Sequence, residues 1–276
     1  MDLLKRVISG AVMIALLVAL VLLGGWVLAA GCAVIAFLMM WDVTGALKNG
    51  GYRINRPVLL GTAALLLPTV YFFKVPGLLM LTMLSFTVLS ACTILSKDPD
   101  FKGLFVSFLA LIYPLLPAAL LVHLAVTDLF FESGDPGMAM IVSAVICACL
   151  SDMLAYFGGR AFGKKKLCPL ISPKKTVAGS VASFIGGALA GVILSFLPFV
   201  TILKVSRILW IVIGVACGGL AQIGDLVASM LKRVCGVKDY GHYIPGHGGM
   251  MDRMDSISTC LFAIVILVQL FSLRIL

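Results

Sequence analysis

The sequence predicts an all-α, polytopic integral membrane protein of about nine transmembrane helices, with its amino terminus on the cytoplasmic side. Three observations carry this. Hydrophobic residues make up 62% of the 276 positions and charged residues 12%, and the mean hydropathy is +1.15, which excludes a soluble globular domain. The apolar residues fall into runs close to the roughly 20 residues that cross a bilayer core. The cations are also unevenly distributed. With the amino terminus inside, the segments between runs place all but four of the 21 lysines and arginines on the inner side, leaving Lys74, Lys204, Arg207 and Arg274 outside. That asymmetry is the positive-inside bias. The outer loop carrying Asp128, Glu132 and Asp135 has no cation.

The runs are residues 7–23, 26–46, 58–73, 77–96, 103–126, 138–158, 177–200, 208–231 and 256–276. Only Gly24-Gly25 separates the first two, so theirs is the least defined boundary. The first run follows Lys5-Arg6 and resembles a signal peptide, and Ala29-Ala30-Gly31-Cys32 resembles a lipoprotein cleavage site. Apolar sequence continues through that point, so uncleaved helices are the better reading. The eight cysteines include no C-x-x-C pair and mostly lie in apolar runs. They read as small buried thiols rather than a zinc site or a disulfide framework. The net charge of +9 follows from topology. No nucleic-acid motif accompanies it, and no nucleic-acid partner is expected.

The chain changes character near residue 138. Residues 1–137 form an amino-terminal transmembrane platform whose spans carry little charge apart from Asp42 and His123, both read as interfacial or helix-packing polar groups. Residues 138–276 form a carboxy-terminal catalytic region, in which polar groups enter the spans and the inner loops lengthen. Its paired glycines, such as Gly186-Gly187 and Gly218-Gly219, read as close helix-packing points.

Charge is most concentrated between Ser229 and Asp255, where four cations, three carboxylates and two histidines occur in S-M-L-K-R-V-C-G-V-K-D-Y-G-H-Y-I-P-G-H-G-G-M-M-D-R-M-D. Ionisable groups at the edge of hydrocarbon are costly and mark function. Gln222, Asp225, Ser229 and Lys232 recur at helical spacing and share one face. Asp225 therefore reads as a functional carboxylate, with a structural Asp–Lys pair as the plainer alternative. Ile244-Pro245-Gly246-His247-Gly248-Gly249 cannot be helical, and consecutive glycines let backbone N–H groups turn toward an anion. Alone, His-Gly-Gly is an ordinary turn; followed by Asp252-Arg253 and Asp255 it is more specific. Asp255-Ser256 are placed to cap the last helix, a role that leaves Asp252 unexplained. Asp225 and Asp252 are expected to meet at the inner face, where two hard oxygen ligands suit Mg²⁺ beside nucleotide phosphates. A second inner loop, from Arg160 to Thr176, holds six cations. Topological anchoring accounts for many of them, but Ser172-Pro173-Lys174-Lys175-Thr176 is tighter than anchoring needs and suits an anionic substrate.

Together these residues resemble the phosphatidate cytidylyltransferases, also called CDP-diacylglycerol synthases. The family signature runs from a serine through Lys-Arg, Lys-Asp and His-Gly-Gly to Asp-Arg-x-Asp. Every specified position is met from Ser229 to Asp255. Gly224-Asp225-Leu226, Ser151-Asp152 with Ala155-Tyr156, Gly159-Arg160, Gly163-Lys164 and Ser172–Thr176 also look like the family. The resemblance covers the carboxy-terminal half strongly and the rest in layout. One position departs: Ala178 stands where the family usually has a glutamate in its S-P-K-K-T-x-E-G segment, a carboxylate the resemblance would place near the site.

The resemblance implies transfer of CMP from CTP to phosphatidate, giving CDP-diacylglycerol and pyrophosphate in phospholipid biosynthesis. It implies Mg²⁺ as cofactor, with or without a second cation, held by Asp225 and Asp252. Lys232, Arg233, Lys238 and Arg253 would steady phosphates, His247-Gly248-Gly249 would line the pocket, and Asp239 belongs to the same set. Ser172, Lys174, Lys175, Thr176 and Ser229 would contact substrate, with Asp152 as metal support or as an anchor for a base. Membrane lipid and a homodimeric partner are implied as well, with the site at the cytoplasmic face of a bacterial-type inner membrane. Two other readings share some of these features. An enzyme using CTP on another lipid phosphate or a polyprenol would keep the phosphate chemistry and change the apolar groove. An ion-coupled transporter would use Asp152 and Asp225, but no broken-helix repeat pair supports it.

Overall fold

In the computed structural model, which describes residues 2–130 and 135–272, helices account for nearly all regular structure. Glu132 and Arg274, both counted in the charge distribution, lie outside the described residues. The helices are α1 (Asp2–Leu23), α2 (Gly25–Asn49), α3 (Arg56–Ala64), α4 (Leu66–Ile94), α5 (Phe101–Ile112), α6 (Leu115–Thr127), α7 (Pro136–Phe162), α8 (Val177–Leu194), α9 (Arg207–Val234) and α10 (Met251–Ser272). Among the described residues, seven helices are long and apolar enough to cross a membrane, counting α5, α6 and the short turn after them as one. An eighth apolar stretch, Val7–Leu23, is shorter.

Proline explains where the helices depart from the expected runs. Its ring clashes with the carbonyl four residues back and lacks an N–H. Pro68 lies four residues after Ala64, the last residue of α3, so the run expected at 58–73 is divided between α3 and α4. Pro117 stands likewise to Tyr113, where α5 gives way to α6. Within α4 the backbone leaves helical geometry at Lys74 (φ 51°, ψ −138°), two residues before Pro76. The expected separation between the third and fourth runs is therefore a kink.

The chain forms two compact units. The first comprises Met1–Phe130 and Val234–Arg253. In it α2 packs against α3, α4 and α6 and buries Leu28, Met39, Met40 and Leu47. Asn55 caps α3 by accepting from Val58 N–H, and Asp100 caps α5 by accepting from Gly103 N–H at 3.0 Å, each supplying an orphan helix-end donor with a partner.

The second unit comprises Phe131–Arg233 and Met254–Leu276. In lipid, helix association depends on close packing rather than escape from water, and this unit uses small residues accordingly. Gly187 and Gly214 lie backbone to backbone, so that a Cβ on either would strike the other's carbonyl oxygen. The basic segment read as an inner loop forms a small antiparallel hairpin, β1 (Lys166–Cys168) with β2 (Ser172–Thr176), in which Lys166 pairs with Thr176 and Cys168 with Ser172.

Candidate functional site

In the second unit the hairpin carries the basic motif to α9. Successive strand residues point to opposite faces, so Lys174 and Lys175 diverge. Lys174 is exposed. Lys175 turns to α9, where its Nζ lies 2.8 Å from Asp225 Oδ2 and donates to the Gln222 carbonyl at 3.3 Å. One helical turn on, Ser229 Oγ donates to Asp225 Oδ1 at 3.2 Å. Gln222 Nε2 donates to Ser180 O and Gly218 O, tying α9 to α8. Arg233 Nε reaches the hairpin turn at Ile171 O, 3.4 Å away. The expected polar face of α9 therefore exists, and it holds the hairpin.

Thr176 ends β2 and caps α8, its Oγ1 accepting from Gly179 N–H at 3.1 Å. Glycine is required around it: a Cβ on Gly163 would lie 2.7 Å from Thr176 Oγ1, and one on Gly159 would lie 3.0 Å away. The Gly-Gly-Arg and Ser-Pro-Lys-Lys-Thr motifs are thus one packed junction. Ala178 is the second residue of α8 and is partly buried.

α9 and α10 cross beside Asp225. Ser256 Oγ donates to Ala221 O at 3.3 Å, and Gly224 leaves room for the Asp255 carbonyl. Asp255 is buried, at 9% exposure, and feels the charges of Asp225, Lys232 and Asp152. Its place in the sequence suits a cap for the last helix, but Asp255 lies inside α10, which begins at Met251.

The first unit holds the loop between α9 and α10. Asp252, in the first turn of α10, accepts through Oδ2 from Tyr240 N–H at 2.8 Å and Gly249 N–H at 3.0 Å. Gly248 takes φ +81°, a conformation that favours glycine, and a Cβ there would lie 2.7 Å from Asp252 Oδ2. The turn closes through Ile244 N–H to Gly248 O and His247 N–H to Ile244 O. His247 Nδ1 lies 2.7 Å from Ser9 Oγ, which donates its proton to Pro245 O at 2.8 Å. That geometry calls for an Nδ1–H donor at His247. Lys238 and Arg253 are exposed, and neither they nor Asp239 make a side-chain hydrogen bond among the described residues. Burial raises the Tyr243 phenol above its ordinary 10.0, and the nearby Asp42 carboxylate adds to the shift. Its hydroxyl stays protonated and donates to Asp42 Oδ2 at 2.9 Å.

Asp152, Ser172, Lys174, Lys175, Thr176, Asp225, Ser229, Lys232 and Arg233 thus fall in the second unit, and Lys238, Asp239, His247, Gly248, Gly249, Asp252 and Arg253 in the first. The sequence reading left Asp255 and Asp42 outside the site. The charge of each was legible, but its neighbours come from distant sequence.

A model of the cytidylyltransferase family matches residues 4–271. The chain belongs to the cytidylyltransferase family. A Staphylococcus aureus (strain COL) protein named phosphatidate cytidylyltransferase is 39% identical over 181 residues, covering 64% of this chain and 63% of that relative. Proteins of the same name from Staphylococcus saprophyticus and Staphylococcus epidermidis (strain ATCC 12228 / FDA PCI 1200) are each 39% identical, over 127 and 128 residues, or 46% of this chain and 47% and 48% of theirs. The match therefore spans less than two thirds of these relatives' length. The motifs of the cytidylyltransferase chain lie within the family match, from the hairpin to the start of α10.

Proposed function

We propose that this cytidylyltransferase transfers CMP from CTP to phosphatidate, forming CDP-diacylglycerol and releasing pyrophosphate, at the cytoplasmic face of a bacterial-type inner membrane. The observation that carries this reading is the complete signature from Ser229 to Asp255 within a family match over nearly the whole chain. The names of the relatives support phosphatidate as acceptor. The distribution of lysine and arginine supports the cytoplasmic face.

A phosphatidate oxygen is already anionic and needs no protein nucleophile. It bonds to the α-phosphorus of CTP as the α–β phosphoanhydride breaks, and the bonding electrons leave on pyrophosphate. Positioning and charge neutralisation are what the protein must provide. Lys174, exposed on the hairpin, and Lys238 and Arg253, exposed around the signature loop, are available to phosphate oxygens. Lys232 and Arg233, at the end of α9, are proposed to steady phosphates as well. His247 and Gly248 of the loop would line the nucleotide pocket, while the Gly249 N–H is held by Asp252.

The Asp225 carboxylate and the Ser229 hydroxyl beside it are hard oxygen donors of the kind a divalent cation takes, although no group of three or more carboxylate, histidine or cysteine ligands occurs among the described residues. Mg²⁺ is commonly held by one or two carboxylates plus phosphate oxygens. Lys175 supplies the balancing positive charge on Asp225 in this structure. Asp225 and Asp252 are the proposed ligands, as the signature implies. When bound, Mg²⁺ would neutralise charge on the triphosphate.

Purified protein in detergent with CTP, phosphatidate and Mg²⁺ should release pyrophosphate and form CDP-diacylglycerol, and chelation should stop both. Product formation with a different lipid phosphate but not phosphatidate would overturn the acceptor; nucleotide-independent ion transport in sealed vesicles would overturn the class. Ala178→Glu should also raise turnover. It places a carboxylate at the amino-terminal end of α8, a position where an anion stabilises a helix by about 0.3–1 kcal/mol. Unchanged turnover would show that residue 178 is dispensable.

A further inference from the structure

Asp42 is a lone carboxylate in an apolar helix, and nothing in the sequence connects it with the signature. It is 2% exposed, and burying such a group is costly unless it is well partnered. Its partners come from the far end of the chain. Oδ2 accepts from Met251 N–H at 3.0 Å, 209 positions away, and from Tyr243 Oη at 2.9 Å. Tyr243 Oη in turn accepts from Met250 N–H at 2.7 Å. The first N–H groups of a helix have no partner within it. Here two consecutive ones, at the entry to α10, are satisfied from α2, one directly and one through a phenol. The negative charge also lies at the end of the helix dipole that favours it.

The surroundings are shaped to admit this carboxylate. A Cβ on Gly249 would run into Asp42 Oδ2 and lie 2.7 Å from its Cγ, and a Cβ on Gly241 would lie 2.8 Å from Oδ1. Oδ1 itself is buried without a hydrogen-bond partner among the described residues. A carboxylate retained only to pack α2 would need neither the two glycines nor the relay through Tyr243.

We propose that Asp42 is a positioning residue for the transfer reaction. It caps α10 from α2 and so holds the 241–250 loop and Asp252-Arg253 in one register. The inference rests on the function proposed above for its effect on turnover, but the cap itself can be tested without the reaction. Lys238 is exposed at the edge of the loop, so the rate of tryptic cleavage after it, read by fragment mass on the detergent-purified protein, reports loop opening. Asp42→Leu should raise that rate by about ten- to hundred-fold, the range expected for losing hydrogen bonds to a charged group. Asp42→Asn keeps an acceptor oxygen and should recover part of the protection. Tyr243→Phe removes only the relay and should have the smallest effect; at a half-exposed side chain it remains informative if Asp42→Leu does not fold. In the same preparations kcat/KM for CTP should fall in the same order. Cleavage at the wild-type rate in the folded variants would overturn the cap. Faster cleavage with unchanged kcat/KM for CTP would overturn the positioning role. Wild-type protein that makes no CDP-diacylglycerol would count against the proposed function while the cleavage rates still judge the cap.

Discussion

Asp225→Asn should lower the rate of CMP transfer by about 10²–10³-fold, the loss typical of removing one preorganised electrostatic contact at developing charge, with little change in thermal stability. Asparagine is nearly isosteric, and its carbonyl oxygen can still accept from Ser229, which holds Asp225 Oδ1 at 3.2 Å. The substitution removes the charge that faces Lys175 at 2.8 Å. Both side chains are partly exposed, at 22% for Lys175 and 33% for Asp225. Water can therefore solvate the released ammonium, and a partly exposed ion pair contributes little to folding. A large loss of turnover in a protein of unchanged melting temperature would separate chemistry from structure. The measurement is product formation from labelled CTP beside a melting curve in the same detergent. Turnover within about twofold of wild type would remove Asp225 from the site and return it to the role of a structural partner for Lys175.

Most of the helical architecture could be read from apolar run length. The expected runs at 138–158 and 208–231 fall within α7 and α9, which extend by between one and four residues further at each end. The divisions at Leu65 and Tyr113 were also present in the sequence, as Pro68 and Pro117, but run length alone does not register the clash of a proline with the carbonyl four residues back. The hairpin was not legible. Strands of three and five residues are too short to announce themselves, and this one is held by Lys175 and Arg233 reaching across to α9 and to the hairpin's own turn.

At the candidate site, residue types were legible and partners were not. Lys175 and Asp225 were singled out separately, because charge in an apolar chain is conspicuous. Their ion pair joins elements 50 positions apart. The position of Asp255 depended on where α10 begins. The sequence offers Asp255-Ser256 as a local cap, whereas the structure starts the helix at Met251, whose N–H is held by Asp42. A cap delivered from a helix two hundred residues earlier leaves no local pattern to read. Asp42 and Asp255 therefore belong to one missed fact, the true start of the last helix.

Asp252 poses the sharper test, because its observed contacts and its proposed chemistry make different demands on the side chain. Its Oδ2 receives the N–H groups of Tyr240 and Gly249, both in buried residues. Asparagine supplies a carbonyl oxygen for the same two donors, so Asp252→Asn should keep the loop closed while removing the charge. Alanine removes the acceptor, and each stranded buried N–H costs about 1–3 kcal/mol. Asp252→Ala should thus lower thermal stability and open the loop to proteolysis after Lys238. If Asp252 also meets the cation, Asp252→Asn should lower turnover by about 10²-fold or more despite an intact loop, and Asp252→Ala should lose both activity and protection. Wild-type turnover in the asparagine variant, with impairment confined to alanine, would make Asp252 a support for the glycine turn alone and leave Asp225 as the carboxylate proposed for the metal. The two substitutions differ by a carboxamide whose oxygen can still accept both N–H groups, and that difference separates a ligand from a strut.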